Sequence, residues 1–201
     1  MRRILTIDGG GIKGVFPAAF LTTLEQRLAC PVADYFDLIA GTSTGGIIAI
    51  GLGLGLGAEE VLALYKDHGE RIFPRRRLLR LLSLVRAKYD YQPLREALVT
   101  AFGDRRLGES RNRLLIPSLN LAAERVHIYK TSHHAKLVHD YKLPAVEVAL
   151  ATVAAPTYFR SIFHPRVCPT LTAVFGRAIP WRSPLSRRSA CSVGSATKSK
   201  C

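Results

Sequence analysis

Two short apolar runs in this chain each break off into glycine, and each break is followed by residues with helical periodicity. The first run, Arg3 to Asp8 (RILTID), feeds Gly9, Gly10 and Gly11. From Val15 to Leu28, Phe16, Phe20, Leu21, Leu24 and Leu28 then recur at the spacing of one helix face. The second run, Asp37 to Ala40 (DLIA), feeds Gly41 to Gly45 (GTSTG), and Ile47 onward again reads as a helix. Two strand–turn–helix units within the first fifty residues commit the chain to an α/β architecture, because each buried strand needs helices to cover it.

The rest of the body continues the alternation. Ala58 to His68 reads as a surface helix, with Val61, Leu62 and Tyr65 at helical spacing, and Pro93 to Phe102 as another short one. Leu114 to Leu121 and Val126 to Thr131 read as strands, and Pro144 to Ala155 as a helix. The uncharged stretch Leu38 to Ala58 is long enough to span a bilayer, but it holds seven glycines. Spanning helices are dominated by large apolar residues, so a buried turn and helix are expected there. No repeat is visible, and Arg2 and Arg3 are followed by too short an apolar run for a secretory signal. A cytoplasmic location is expected.

Charge separates the body from the tail. The 201 residues carry a formal net charge of +14, and seven basic residues with no acidic one lie between Arg166 and Cys201. A basic tail on a milder body argues against nucleic acid as the main partner of the body. The division expected is a folded domain over 1–165 and a basic, low-complexity segment over 166–201. That segment reads either as a native disordered tail or as the product of a slipped reading frame near residue 165. Of the four cysteines, Cys30 stands alone in the body and Cys168, Cys191 and Cys201 form no CxxC pair, which fits reduced thiols.

The chemistry is concentrated in the two turns. Asp8 to Gly14 (DGGGIKG) places Gly9, Gly11 and Gly14 in a G-x-G-x-x-G pattern, whose backbone N–H groups suit an anion. A dinucleotide site also wants an acid at the end of a second strand, and Glu25 falls inside the expected helix instead. Gly41-Thr42-Ser43-Thr44-Gly45 has the G-x-S-x-G form at a strand-to-helix junction, the context of a nucleophile elbow with Ser43 projecting. A serine that attacks an ester needs N–H donors where the oxyanion forms, and a glycine turn from a neighbouring strand supplies them.

The order of donor loop and then serine resembles the patatin-like phospholipases, whose signature is D-G-G-G-x-[KR]-G followed by G-T-S-x-G. Ala154 to Phe159 (AAPTYF) is similar to that family's third landmark, and the resemblance covers about residues 3 to 165. It implies a three-layer α/β/α sandwich, incomplete at the C-terminus, and hydrolysis of lipid acyl esters by a Ser–Asp dyad. Ser43 would be the nucleophile and the amides of Gly10 and Gly11 the oxyanion hole. Lys13 would help hold the loop, and Asp8, Gly9, Gly14, Gly41, Thr42, Thr44 and Gly45 complete the two motifs. No cofactor or metal is implied. The nearest relatives by resemblance are bacterial stand-alone cytoplasmic phospholipases, some of them nucleotide-activated effectors in antiphage defence.

One element of the family pattern is missing. The dyad aspartate belongs to a D-G-[GA] motif shortly after the A-P-T-Y-F segment, and no Asp occurs after Asp140. The general base is therefore unassigned and the chain as given is expected to be inactive. The alternative is a non-catalytic lipid- or anion-binding remnant of the same fold. His127, His133, His134 and His139 cluster before the last helix and are expected to be exposed loop residues, not a base or a zinc site. A sugar-kinase-like phosphate binder, suggested by the IDGGG string, needs two related domains, for which 201 residues are too few. The basic amphipathic segment Arg75 to Lys88 reads either as a helix covering the core or as a peripheral contact with anionic membrane at its inner face.

Overall fold

The computed structural model describes residues 2–74, 90–120, 125–154, and the backbone course of 162–164 and 167–171. Strands β1 (Ile4–Ile7), β2 (Leu38–Gly41) and β3 (Arg113–Asn120) form a parallel core in that order. Ile4 stands opposite Leu38, and Leu38 opposite Arg113. On the far side β3 pairs antiparallel with β4 (Arg125–Lys130), and near its end with β6 (Val167–Leu171), which pairs in turn with β5 (Ile162–His164). The fold is a mixed α/β sheet with helices packed on it. The short strand β6 falls inside the stretch read as having no period, and the rest of 166–201 lies outside the described residues.

Alternation along the strands decides where the helices go. Ile7, Ile39, Leu114, Ile116 and Ser118 are buried on one face. Against that face pack α3 (Thr44–Gly53) and α6 (Ala145–Val153), with α4 (Ala58–Ile72) and α5 (Gln92–Phe102) behind them. Every residue of α3 is buried, including Ile47, Ile48, Ile50 and Leu52. A helix apolar all round belongs in a core, and each of these side chains contributes roughly 1.5–3 kcal/mol by burial. The uncharged stretch 38–58 is thus a strand, a turn and a ten-residue helix. No helix among the described residues is long and apolar enough to cross a membrane.

The first helix departs from its expected face. Helix α1 (Val15–Leu28) buries Ala18 and Leu21, whereas Phe16 is 78% and Phe20 61% exposed. The two phenylalanines do share a side with Leu21 and Leu24, and that side borders an open groove along β1. A four-residue helix, α2 (Val32–Tyr35), follows it and was not expected from periodicity, being only one turn long. Glu25 explains its own position: its carboxylate accepts the Val32 N–H at 2.9 Å and the Ala58 N–H at 2.9 Å. One side chain thereby satisfies orphan amides at the starts of two helices, a structural use and not the ribose contact of a dinucleotide site.

Candidate functional site

Strand β2 ends at Gly41 and α3 begins at Thr44, so Thr42 and Ser43 must reverse the chain within two residues. Ser43 does so at φ 54° and ψ −125°; among the described non-glycine residues only Ala29 shares its positive φ. Such a conformation costs about 1–3 kcal/mol and persists only where its surroundings hold it. The Ser43 carbonyl accepts the N–H groups of Gly46 at 2.8 Å and Ile47 at 3.1 Å, which starts the helix directly after the turn. The side chain is left half-buried at the positive end of α3.

The glycine loop after β1 lies against this turn. A Cβ placed on Gly9 would come within 2.7 Å of both the Ser43 Cβ and the Thr42 carbonyl oxygen, so only glycine permits the approach. Two hydroxyls then tie the loops together. The Gly9 N–H donates to Thr42 Oγ1 at 3.1 Å, and the Gly10 N–H donates to Thr44 Oγ1 at 3.1 Å. Gly11 adopts φ 60°, and the Lys13 N–H closes a 3₁₀ turn on the Gly10 carbonyl at 3.2 Å. Gly14, at the end of that turn, packs against Thr44 and Tyr65.

Tyr65 anchors the arrangement from α4. Its hydroxyl donates to the Thr44 carbonyl at 2.8 Å, and its burial pushes the phenol well above its ordinary range. The group is therefore a fixed donor at any working pH. From α6, Thr152 Oγ1 accepts the Ser43 N–H at 3.0 Å. Neither Tyr65 nor Thr152 was identified from sequence as part of the site. Tyr65 reads as one apolar position of a surface helix, and Thr152 lies within a stretch read only as a helix.

The structure brings Gly9, Gly10, Gly14, Gly41, Thr42, Ser43, Thr44 and Gly45 into one cluster. Asp8 and Lys13 are exposed beside it, at one end of a groove of about 410 Å³ that runs along Phe16, Phe20 and Leu24. The histidines have other partners. His127 Nε2 lies 3.3 Å from Asp140 Oδ1, whose second oxygen accepts the Lys130 N–H at 3.2 Å. His133, His134 and His139 are exposed. Among the described residues no group of histidine, cysteine or acid side chains is placed to hold a metal. The segment Arg75 to Lys88 and most of Ala154 to Phe159 lie outside the described residues.

The family model for patatin-like phospholipase matches residues 5–175. A cGAMP-activated phospholipase of Pseudomonas aeruginosa is 42% identical over 158 residues, covering 78% of this chain and 47% of that protein. A cGAMP-activated phospholipase of Vibrio cholerae is 33% identical over 189 residues, covering 86% of this chain and 52% of that protein. Among solved structures, VipD from Legionella pneumophila aligns over 92% of this chain and 48% of its own, with a TM-score of 0.57 at 12% identity, a likeness of fold. The chain spans about half the length of the curated relatives it matches.

Proposed function

The chain belongs to the patatin-like phospholipase family, and on that premise we propose that it carries the nucleophile half of a serine hydrolase acting on lipid acyl esters. The observation that supports this reading is the contact between the two turns: a strained serine at a helix start, packed so closely by the glycine loop that a Cβ added at Gly9 would lie 2.7 Å from the Ser43 Cβ. Ser43 Oγ attacks the ester carbonyl carbon, its proton passes to a base and then to the departing alkoxide, and water later releases the acyl group from the serine. The developing oxyanion takes N–H donors from Gly10 and Gly11. In the resting arrangement the Gly10 amide is engaged by Thr44 Oγ1, so it must share or exchange that partner when substrate binds.

The base in this proposal is an aspartate of the family's D-G-[GA] type, and no aspartate follows Asp140 in the sequence. That same fact favours the second reading, a lipid- or anion-binding module without turnover. Membrane phospholipid is the proposed substrate class, met at the inner, anionic face of a membrane by a cytoplasmic protein. The relatives' name extends the proposal to a regulator: a cyclic dinucleotide that activates the whole protein, with no residue of this chain assigned to it.

A fluorophosphonate probe tests the proposal. Because an elbow and its N–H donors retain part of their effect without a base, slow labelling confined to Ser43 is expected, with none in Ser43→Ala. Equal labelling of both proteins would overturn the nucleophile assignment.

A further inference from the structure

The ladder between β2 and β3 ends with Ala40 opposite Leu115. Beyond that pair β2 turns away into the elbow while β3 runs on to Asn120, so Ser43 and Pro117 lie past the last pair of this ladder. Pro117 has no N–H to offer, only a carbonyl. Ser43 presents an N–H from a strained turn. Left unpaired away from water, each such group costs about 1–3 kcal/mol.

Thr152 fills the gap. Its hydroxyl accepts the Ser43 N–H at 3.0 Å and donates its own proton to the Pro117 carbonyl at 2.7 Å, continuing the ladder through a side chain. The residue is fully buried. Its methyl group occupies the space beside Gly46, where an added Cβ would lie 2.7 Å from Thr152 Cγ2. Hydroxyl and methyl are therefore each fixed by a different neighbour, and the side chain has one usable orientation.

The geometry points to Thr152 as a positioning residue for the nucleophile: its hydroxyl holds the Ser43 backbone in the strained conformation that sets the Ser43 Cβ against the glycine loop. This rests on Ser43 being the nucleophile. A purely packing role for Thr152 would depend on its volume, which valine reproduces; a positioning role depends on the hydroxyl, which serine reproduces.

The test compares Thr152→Val and Thr152→Ser in the 201-residue chain by residue-resolved amide exchange and by the rate of fluorophosphonate labelling. In Thr152→Val, exchange at the Ser43 amide should rise at least tenfold and labelling fall at least tenfold, at an unchanged half-saturating probe concentration. Thr152→Ser should stay within about threefold of the parent in both. Parent-like exchange at Ser43 in Thr152→Val overturns the inference. So does loss of both properties in Thr152→Ser, and that variant alone decides if the valine protein does not fold. If Ser43→Ala labels like the parent, the nucleophile assignment fails, while the exchange comparison still reports on the hydroxyl bridge.

Discussion

The Tyr65 hydroxyl donates to the carbonyl oxygen of Thr44 at 2.8 Å, and through that bond helix α4 holds the residue next to Ser43. The tyrosine ring also walls off Gly14, so one side chain touches both the elbow and the end of the glycine loop. Its phenol stays protonated, being buried, and the bond does not depend on pH.

Removing that hydroxyl takes one of two donors from the Thr44 carbonyl, the other being an N–H of helix α3. Tyr65→Phe should lower unfolding free energy by about 0.5–1.5 kcal/mol, read from the urea midpoint at unchanged slope. A midpoint equal to the parent's would mean that the bond to Tyr65 adds nothing to stability.

The serine conformation predicts an opposition between stability and reactivity. Ser43→Gly relieves a strain of about 1–3 kcal/mol and forfeits about 0.5–1 kcal/mol of backbone entropy, so the variant should be about 1 kcal/mol more stable than the parent. Probe labelling should vanish in the same protein. A glycine variant less stable than Ser43→Ala would show that the turn is unstrained.

Neighbouring glycines of the first loop should differ sharply. Gly9→Ala drives a methyl into Ser43 and the Thr42 carbonyl and should cost about 2 kcal/mol or more. At Gly10 the backbone is extended and an added Cβ meets Lys13 Cβ at 3.3 Å, so Gly10→Ala should change stability by about 0.5 kcal/mol or less. Thermal melts of the two variants check the ranking, and equal losses would refute the close contact at Gly9.

For catalysis, Gly11→Val keeps its N–H but cannot hold φ 60° without strain, so the loop should shift and labelling of Ser43 should slow by about 10²–10³-fold, the magnitude of a misplaced oxyanion donor. If the base is the aspartate proposed above, the 201-residue chain itself should turn over phospholipid vesicles negligibly, since no aspartate follows Asp140 and general-base assistance is worth about 10²–10⁴-fold. Sustained release of fatty acid by the purified chain would show that a base other than an aspartate beyond Asp140 serves Ser43.

Much of the site was legible because its chemistry is local. Gly41 to Gly45 and Asp8 to Gly14 each sit within a single turn, and the turn's requirement for small residues writes itself into consecutive positions. Partners recruited across the fold leave no such trace. Thr152 is one threonine in an apolar helix, and nothing in its flanking residues distinguishes a ladder-bridging hydroxyl from a space-filler. The face of α1 misled for a related reason: Phe16 and Phe20 keep helical spacing, but spacing says which residues lie together, not whether another element covers them. Glu25 could be excluded from a ribose contact by its position within a helix, yet its bonds to Val32 and Ala58 depend on where two later helices begin.

The bridge from Ser43 to Thr152 joins residues 109 positions apart. Closing a loop of that length costs about 4 kcal/mol of chain entropy, so the contact forms only after β3 and α6 have docked to repay it. During refolding, exchange protection at Ser43 should therefore appear after protection at Ile39, which pairs within the early sheet; simultaneous protection would contradict this order. A chain caught part-way, on the ribosome or after partial unfolding, then carries a relaxed serine in an ordinary loop. On the proposed reading, the strained geometry of Ser43, and with it any labelling by a serine-reactive probe, arrives only with the last stage of assembly.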